Sequence, residues 1–251
     1  MISSFSTNSL HGILLDIEGT TSPIDFVYEV LFPYARLHLE EYLKRKVGSK
    51  ELQRDLSRLR EEYVKDLADA STPPEWIDAP PDAQMQSVAR YVFWLMDRDR
   101  KSTGLKSLQG KIWQEGYLKG ELKSQVFPDV PPALRDWQQK DLDIRIFSSG
   151  SVLAQRLLFV NTQAGDLSGL LNGYFDTSIG PKTLAESYRR IAAEFHVAAS
   201  QVLFVSDVIK ELDAASSSGM KTLLSVRPGN PPQPKGHAHG IIGSFSEILI
   251  T

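Results

Sequence analysis

The residues of this chain that could do chemistry are acidic, hydroxyl and basic side chains placed just after short apolar runs or just before helical patterns. In chain order they are Asp16, Glu18, Thr20, Ser148, Ser149, Lys182, Asp207 and Glu211. An Asp carboxylate can attack phosphorus and form a covalent aspartyl phosphate. A pair of carboxylates can hold Mg²⁺, and Lys and Ser side chains can hold phosphate oxygens. The set therefore indicates phosphoryl transfer to a carboxylate.

The acidic residues divide into three expected roles. Asp16 is the expected nucleophile, and it would share one Mg²⁺ with Asp207, since this ion prefers few carboxylates and keeps several waters. Glu18 would act first as general acid and then as general base, which requires a raised pKa. Glu211 would complement the start of a helix and steer a metal-bound water or Lys182.

The remaining candidates are hydroxyl and basic residues, which are expected to bind the phosphate. Ser148 would donate its hydroxyl and Ser149 its backbone N–H, while Lys182 would supply a compact positive charge. Thr20 is a further candidate for substrate binding. Taken singly, each of these residues has an ordinary structural explanation, such as a turn, a strand end or a solvated lysine. Their order along the chain favours one shared site.

The pattern of apolar runs predicts a parallel sheet that brings these residues together. The candidate strands are Ile13–Leu15, Ile144–Phe147, Val202–Val205, Thr222–Val226 and, more weakly, Ile241–Ile242. Helical patterns lie between them, at Val152–Val160, Leu184–Phe195 and Glu211–Ser217. Strands that alternate with helices imply a parallel sheet whose ligands bind beyond the carboxyl ends of the strands. The predicted fold class is therefore α/β, with a Rossmann-like parallel-sheet core.

A long helical stretch interrupts this alternation directly after the first strand. Apolar residues recur at helical spacing from about Ile24 to Gln125, which predicts four or five helices in a bundle. We therefore expect an α/β core formed by residues 1–23 and 126–251. Residues 24–125 would form a helical cap inserted into it.

The amino-acid composition of the chain limits the kinds of molecule that it is expected to bind. The 251 residues carry a formal net charge of −3, which argues against a nucleic-acid groove, and the absence of cysteine excludes disulfides and thiolate metal sites. No signal peptide or membrane-length apolar segment is visible. We therefore expect a monomer that binds a small-molecule phosphate and neither nucleic acid nor membrane. Its expected location is the cytoplasm, with the nucleus as an alternative.

The first cluster of these residues resembles a known motif. Leu14-Leu15-Asp16-Ile17-Glu18-Gly19-Thr20 is similar to the Asp-x-Asp-x-Thr motif of the haloacid dehalogenase superfamily, with Glu18 where most members have Asp. With this variant, the segments 31–35, 147–152 and 226–230 resemble the acireductone synthases, which are the enolase-phosphatases of methionine salvage. The resemblance extends over about residues 11–250.

The resemblance carries specific implications. It implies one Mg²⁺ per chain, held by the Asp16 carboxylate, the Glu18 backbone carbonyl and Asp207. It implies that the substrate is bound by Ser148, Ser149 and Lys182. It also implies that 2,3-diketo-5-methylthiopentyl 1-phosphate is enolised and then dephosphorylated to acireductone. The base for enolisation stays open between Glu18 and a residue of the cap.

Two other functions fit part of the pattern. One is another capped phosphatase of the same superfamily, acting on a different small phosphate. The other is a signalling module of the phosphoaspartate receiver type, which also places acidic, hydroxyl and Lys residues at strand ends. The long helical insertion disfavours the second, because receiver domains are small and carry no cap.

Overall fold

The computed structural model describes residues 5–6, 10–69, 71–100, 102–234 and 236–250. The chain forms two compact units. The core unit comprises Met1–Tyr28 and Leu122–Thr251, and the inserted unit comprises Glu29–Glu121. Within the described part of the chain, no helix combines the length and the apolar character needed to cross a membrane.

The core unit is built on a six-stranded parallel sheet. The strands in chain order are β1 Phe5–Ser6, β2 Gly12–Leu15, β3 Asp143–Phe147, β4 Gly173–Phe175, β5 Val202–Ser206, β6 Lys221–Ser225, β7 Gly240–Ile242 and β8 Ile248–Leu249. The large sheet has the order β4-β3-β2-β5-β6-β7, and β1 pairs with β8 separately. Every residue of β2 and β5 is buried, as expected for central parallel strands.

The sheet confirms the predicted α/β fold class. All five predicted strands form, with bounds that differ from the prediction by a single residue or not at all. Strand β4 was not predicted, because three residues at the sheet edge show no apolar run. The strands pair in parallel throughout the large sheet, so their carboxyl ends lie along one edge.

The described residues of the inserted unit form helices joined by turns and loops, with no strand among them, as the sequence predicts. A π-helix at Phe26–Leu31 leads into four α-helices, which are α1 Phe32–Lys46, α2 Lys50–Ala68, α3 Pro81–Met96 and α4 Thr103–Leu118. Ser49 caps α2 by accepting a hydrogen bond from the Leu52 N–H, and Ser102 caps α4 in the same way through Leu105. Helix α1 packs on α3 and α4, while α2 packs on α4.

Four further α-helices cover the core sheet in the described residues. They are α5 Val130–Gln139, α6 Val152–Val160, α7 Ala185–Glu194 and α8 Ile209–Ser217. Helix α5 was not predicted; it begins with Val130-Pro131-Pro132, and proline is tolerated in the first turn of a helix. Phe195, which follows α7, packs so closely on Gly12 that a Cβ at Gly12 would lie 2.5 Å from its ring. This glycine allows the helix layer to approach the central strand.

The chain segments on either side of the insertion are joined inside the core unit. The Ser22 hydroxyl donates to the Gln125 carbonyl at 2.7 Å, and the Phe127 N–H donates to the Thr21 carbonyl at 3.0 Å. The chain therefore leaves and re-enters the core at adjacent points.

Candidate active site

The first candidate residue lies at the carboxyl end of the central strand β2. The Asp16 N–H donates to the Val205 carbonyl at 3.0 Å, so the backbone pairing with β5 extends one residue beyond the strand. The chain then turns sharply, because the N–H groups of three residues converge on the Ile17 carbonyl: Thr20, Thr21 and Ser22. We call residues 16–22 the Asp16 loop. Its tight backbone fixes the direction in which the Asp16 side chain projects.

The Asp16 carboxylate is buried, and both of its oxygens accept hydrogen bonds. Oδ1 lies 2.8 Å from the Ile17 nitrogen and 2.6 Å from Lys182 Nζ, while Oδ2 lies 3.1 Å from the Ser206 hydroxyl. Only 3% of the residue's surface is exposed. The carboxylate is therefore held in one orientation before any ligand binds.

Lys182 reaches Asp16 from the segment before helix α7. Its carbonyl accepts a hydrogen bond from the Tyr188 hydroxyl at 2.8 Å, and its ammonium lies 2.7 Å from Glu211 as well as 2.6 Å from Asp16. Burial alone would lower the pKa of Lys182, but the two carboxylates together raise it. The lysine is thus a fixed positive charge beside the candidate nucleophile.

Glu18 and Ser148 come together from the ends of β2 and β3. The Ser148 hydroxyl donates to Glu18 Oε2 at 3.3 Å, and the same hydroxyl oxygen accepts the Gly150 N–H at 3.1 Å. Burial and then the neighbouring Asp16 charge raise the pKa of Glu18. A carboxyl group that keeps its proton to higher pH is suited to act as a general acid.

Two more acidic residues follow strand β5. Burial and then the Asp16 charge raise the pKa of Asp207 to about 7, and the same causes raise that of Glu211 to about 8. The Ser206 hydroxyl lies 3.1 Å from both Asp16 Oδ2 and Glu211 Oε2. Among the described residues, four carboxyl groups therefore share this site with one lysine, Lys182.

This excess of acidic groups suits a divalent cation. In the described residues no three His, Asp or Glu side chains are arranged to hold a metal, but the predicted set needs only two carboxylates and a backbone carbonyl. A Cβ placed on Gly19 would lie 2.4 Å from Asp207 Oδ2, so this carboxylate packs directly on the Asp16 loop. Close, buried carboxylate oxygens are hard ligands that match Mg²⁺. The chemistry of these side chains is compatible with Mg²⁺, and the ligand set of Asp16, Asp207 and the Glu18 carbonyl stays a prediction.

The structure brings most of the predicted residues into one cluster. Direct contacts link Asp16 with Lys182, Lys182 with Glu211, and Glu18 with Ser148. The remaining predicted residues lie beside this cluster: Asp207 against the Asp16 loop, Ser149 partly exposed next to Ser148, and Thr20 fully buried within the Asp16 loop.

Three residues of this site were missed by the sequence analysis as contributors. Ser206 contacts the Asp16 carboxylate directly. Arg227 Nε donates to the Thr20 carbonyl at 3.2 Å, and Asn230 Nδ2 donates to the Gly19 carbonyl at 2.9 Å. Their positions in the sequence could have identified them, because Ser206 and the segment 227–230 directly follow predicted strands, as other candidate residues do.

Comparisons with known proteins agree with this geometry. A profile for haloacid dehalogenase-like hydrolases matches residues 10–219. Enolase-phosphatase E1 of Synechococcus elongatus is 54% identical over 222 residues, which cover 88% of this chain and 91% of the relative. Enolase-phosphatase E1 of Pseudomonas aeruginosa is 41% identical over 242 residues, or 96% and 99% of the two chains. The crystal structure of the UTR4 protein from Saccharomyces cerevisiae is similar at a TM-score of 0.75, with 34% identity over 94% of this chain and 99% of that one.

Proposed function

The chain belongs to the haloacid dehalogenase-like hydrolase family, and we propose that it is an enolase-phosphatase of methionine salvage. In this proposal it converts 2,3-diketo-5-methylthiopentyl 1-phosphate to acireductone and phosphate. The observation that carries the phosphatase half is the buried Asp16 carboxylate, fixed by Lys182 and Ser206 at the end of the central strand. The enolase half is supported by the identity to relatives named enolase-phosphatase E1 over most of both chains.

Phosphate release would proceed in two steps at Asp16. The carboxylate attacks phosphorus and the bond from phosphorus to the substrate oxygen breaks, while Glu18 gives its proton to the leaving oxygen. Glu18 then takes a proton from a water molecule that attacks the aspartyl phosphate, which frees phosphate and restores Asp16. Lys182 and Ser148 would hold the phosphoryl oxygens, because charge spreads over them in the transition state.

Enolisation would precede phosphate release. A base must remove a proton from the carbon beside a ketone, and Glu18 is our first candidate for this base, with a residue of the inserted unit as the alternative. Bound Mg²⁺ would supply polarisation of the ketone and would shield the phosphate charge from Asp16. The chain would hold one such ion through Asp16, Asp207 and the Glu18 carbonyl.

The finer properties of the protein are also part of the proposal. We propose a monomer that acts on a small-molecule phosphate in the cytoplasm, with the nucleus as the alternative location. The proposal also keeps the helical cap predicted at residues 24–125. The two compact units support a cap inserted into a core, with Glu29–Glu121 as the inserted part.

The test follows both half-reactions at once. Protein and Mg²⁺ are mixed with the diketo phosphate under nitrogen, and enediol absorbance and free phosphate are recorded together. We expect both signals to rise with the wild type. With Asp16→Asn the enediol should still form, because enolisation makes no bond to residue 16 and the Asn side-chain oxygen can still face the cation, and phosphate should not appear.

A matched control and three contrary outcomes define this test. Asp136→Asn changes an exposed aspartate of α5 and should behave as wild type. Substantial phosphate release by Asp16→Asn would refute the nucleophile assignment. Cleavage of simple phosphate esters without any enediol would assign a different substrate. A single phosphorylation of the protein without sustained turnover would indicate a signalling module instead.

A further inference from the structure

Asn230, in the loop after β6, has an amide group whose orientation is fixed by the protein. Its Nδ2 donates to the Gly19 carbonyl at 2.9 Å and to the Ser225 carbonyl at 3.3 Å. Reversing the amide would place its oxygen against these two carbonyl oxygens and would lose both hydrogen bonds. The oxygen Oδ1 must therefore face away from them.

This oxygen is buried and has no hydrogen-bonding partner within the described protein. It lies 3.0 Å from the position that a Cβ on Gly19 would occupy, and Asp207 Oδ2 lies 2.4 Å from the same position. The two oxygens are therefore no more than about 5.4 Å apart, a separation that a single water molecule hydrogen-bonded to both can span. Asn230 Oδ1 is an acceptor, as is Asp207 when it is ionised, so a group that contacts both has to be a donor or a cation.

The residues around Asn230 hold it in a fixed position against the Asp16 loop. The nearby Arg227 is buried, with its guanidinium 4.7 Å from the ring centroids of both Phe127 and Phe245 and 2.8 Å from Asp129. It holds the Thr20 carbonyl while Asn230 holds the Gly19 carbonyl. The segment 227–230 thus fixes the backbone of the Asp16 loop just after Glu18.

We propose that Asn230 is a positioning residue for the divalent cation at Asp16 and Asp207. Its amide nitrogen fixes the Asp16 loop, and its Oδ1 accepts a hydrogen bond from a water of the cation's hydration shell that Asp207 also contacts. The inference rests on the proposed function, which places Mg²⁺ at these carboxylates. Mg²⁺ gives up its waters reluctantly, so an acceptor for such a water favours this ion in particular. Contacts of this kind typically change metal affinity about 10–100-fold.

The test measures cation binding without substrate. The dissociation constants of Mg²⁺ and Ca²⁺ are determined by titration calorimetry on metal-free protein. Asn230→Ala should weaken Mg²⁺ binding about tenfold and Ca²⁺ binding less than about threefold, because Ca²⁺ accepts a more irregular set of oxygens. Ser225→Ala is the matched control: it removes a second donor to the Gly19 carbonyl, at 3.3 Å, and leaves Asn230 Oδ1 in place. It should keep the wild-type ratio of the two constants.

Each outcome decides the proposal. If Asn230→Ala binds both ions as the wild type does, or loses both equally, Asn230 has only a structural role and the proposal fails. If Asn230→Ala does not fold, Asn230→Ser is used, because its hydroxyl can still donate to a backbone carbonyl while Oδ1 is absent; it should show the same selective loss of Mg²⁺ binding, and a wild-type ratio overturns the proposal. Asp207→Asn tests the metal site separately from the role of Asn230. If the wild type binds Mg²⁺ and Asp207→Asn does not, the metal site stands whatever Asn230 does; if the wild type does not bind Mg²⁺, both inferences fail.

Discussion

The Lys182 ammonium lies 2.6 Å from Oδ1 of Asp16, and both groups are buried. The pair joins the central strand β2 to the segment before α7, so the lysine comes from a distant part of the chain. Because Glu211 lies 2.7 Å from the same ammonium, the lysine is shared between two acidic groups. The proposed nucleophile is therefore already paired with the charge that would meet the phosphate.

Removing this charge should impair catalysis more than folding. Lys182→Ala should lower kcat/KM at least tenfold, or about 1.4 kcal/mol of transition-state stabilisation, since no other cation contacts Asp16 within the described residues. Steady-state kinetics with the diketo phosphate measure the loss. The control is Lys140→Ala, which removes a surface lysine paired with Asp136 at 3.0 Å and should leave kcat/KM unchanged. A Lys182→Ala enzyme with wild-type kcat/KM would refute the role.

Ser206 should also affect the rate, although the sequence analysis assigned it no role. Its hydroxyl is the donor to Asp16 Oδ2, so Ser206→Ala would leave this oxygen less constrained. We expect kcat to fall by about tenfold, in line with a hydrogen bond to a charged group, and Ser206→Thr to retain most activity. Ser87→Ala removes another buried hydroxyl, in α3, and should not change kcat. Equal kcat values for Ser206→Ala and wild type would show that the contact is dispensable.

The backbone at Gly19 can be tested by adding one methyl group. Gly19 has φ +71°, and a Cβ there would meet Asp207 Oδ2 at 2.4 Å, so Gly19→Ala must both strain the turn and displace the carboxylate. We expect loss of Mg²⁺ binding and at least a hundredfold fall in kcat/KM. Gly120→Ala is the control for strain alone, because it has φ +73° and open space around the added carbon. If both variants lose activity equally, displacement of Asp207 is not the cause.

The raised pKa values predict how the stability of the metal-free protein depends on pH. Burial and the Asp16 charge raise the pKa of Glu211 from 4.5 to about 8, so the folded state binds more protons than the unfolded state between these values. The resulting stabilisation is complete below pH 4.5 and is lost as pH rises through about 8. The free energy of unfolding in EDTA should therefore fall across this window, as followed by urea denaturation.

Glu211→Gln isolates this contribution. The variant has no proton to lose at this position, so its slope should be shallower, by at most about 1.4 kcal/mol per pH unit. Glu186→Gln, at an exposed position of α7, should keep the wild-type slope. A slope for Glu211→Gln as steep as that of the wild type would contradict the assignment to this carboxyl group.

The sheet was predictable because its buried central strands consist of continuous apolar residues. Val202–Ser206 is buried at every position, and such a strand reads as a continuous apolar run. Strand β4 has no such apolar run, since its three residues lie at the sheet edge and are only partly buried. Helix α5 was hidden by Pro131 and Pro132, which usually mark loops but here occupy the first helical turn.

The candidate site was predictable where function rests on a side chain that directly follows an apolar run. Asp16 and Ser148 directly follow such runs and Asp207 follows one residue later, so their positions at the strand ends were predictable. Asn230 was not, because its contribution depends on a hydrogen bond to a carbonyl more than two hundred positions earlier, a contact that only the folded chain reveals. The direction of its Oδ1 follows from packing around Gly19, which no local pattern encodes.

The hydrogen bonds that join Ser22 to Gln125 and Phe127 to Thr21 have a consequence for how such a protein can change over evolution. They connect the two parts of the core where the insertion begins and ends. These contacts therefore constrain only the first and last residues of the inserted segment. A different insert with the same spacing between its ends could be accommodated while the Asp16 loop keeps its backbone. We therefore expect substrate preference in this family to diverge by exchange or reshaping of the insert, while the phosphoryl-transfer residues stay as they are.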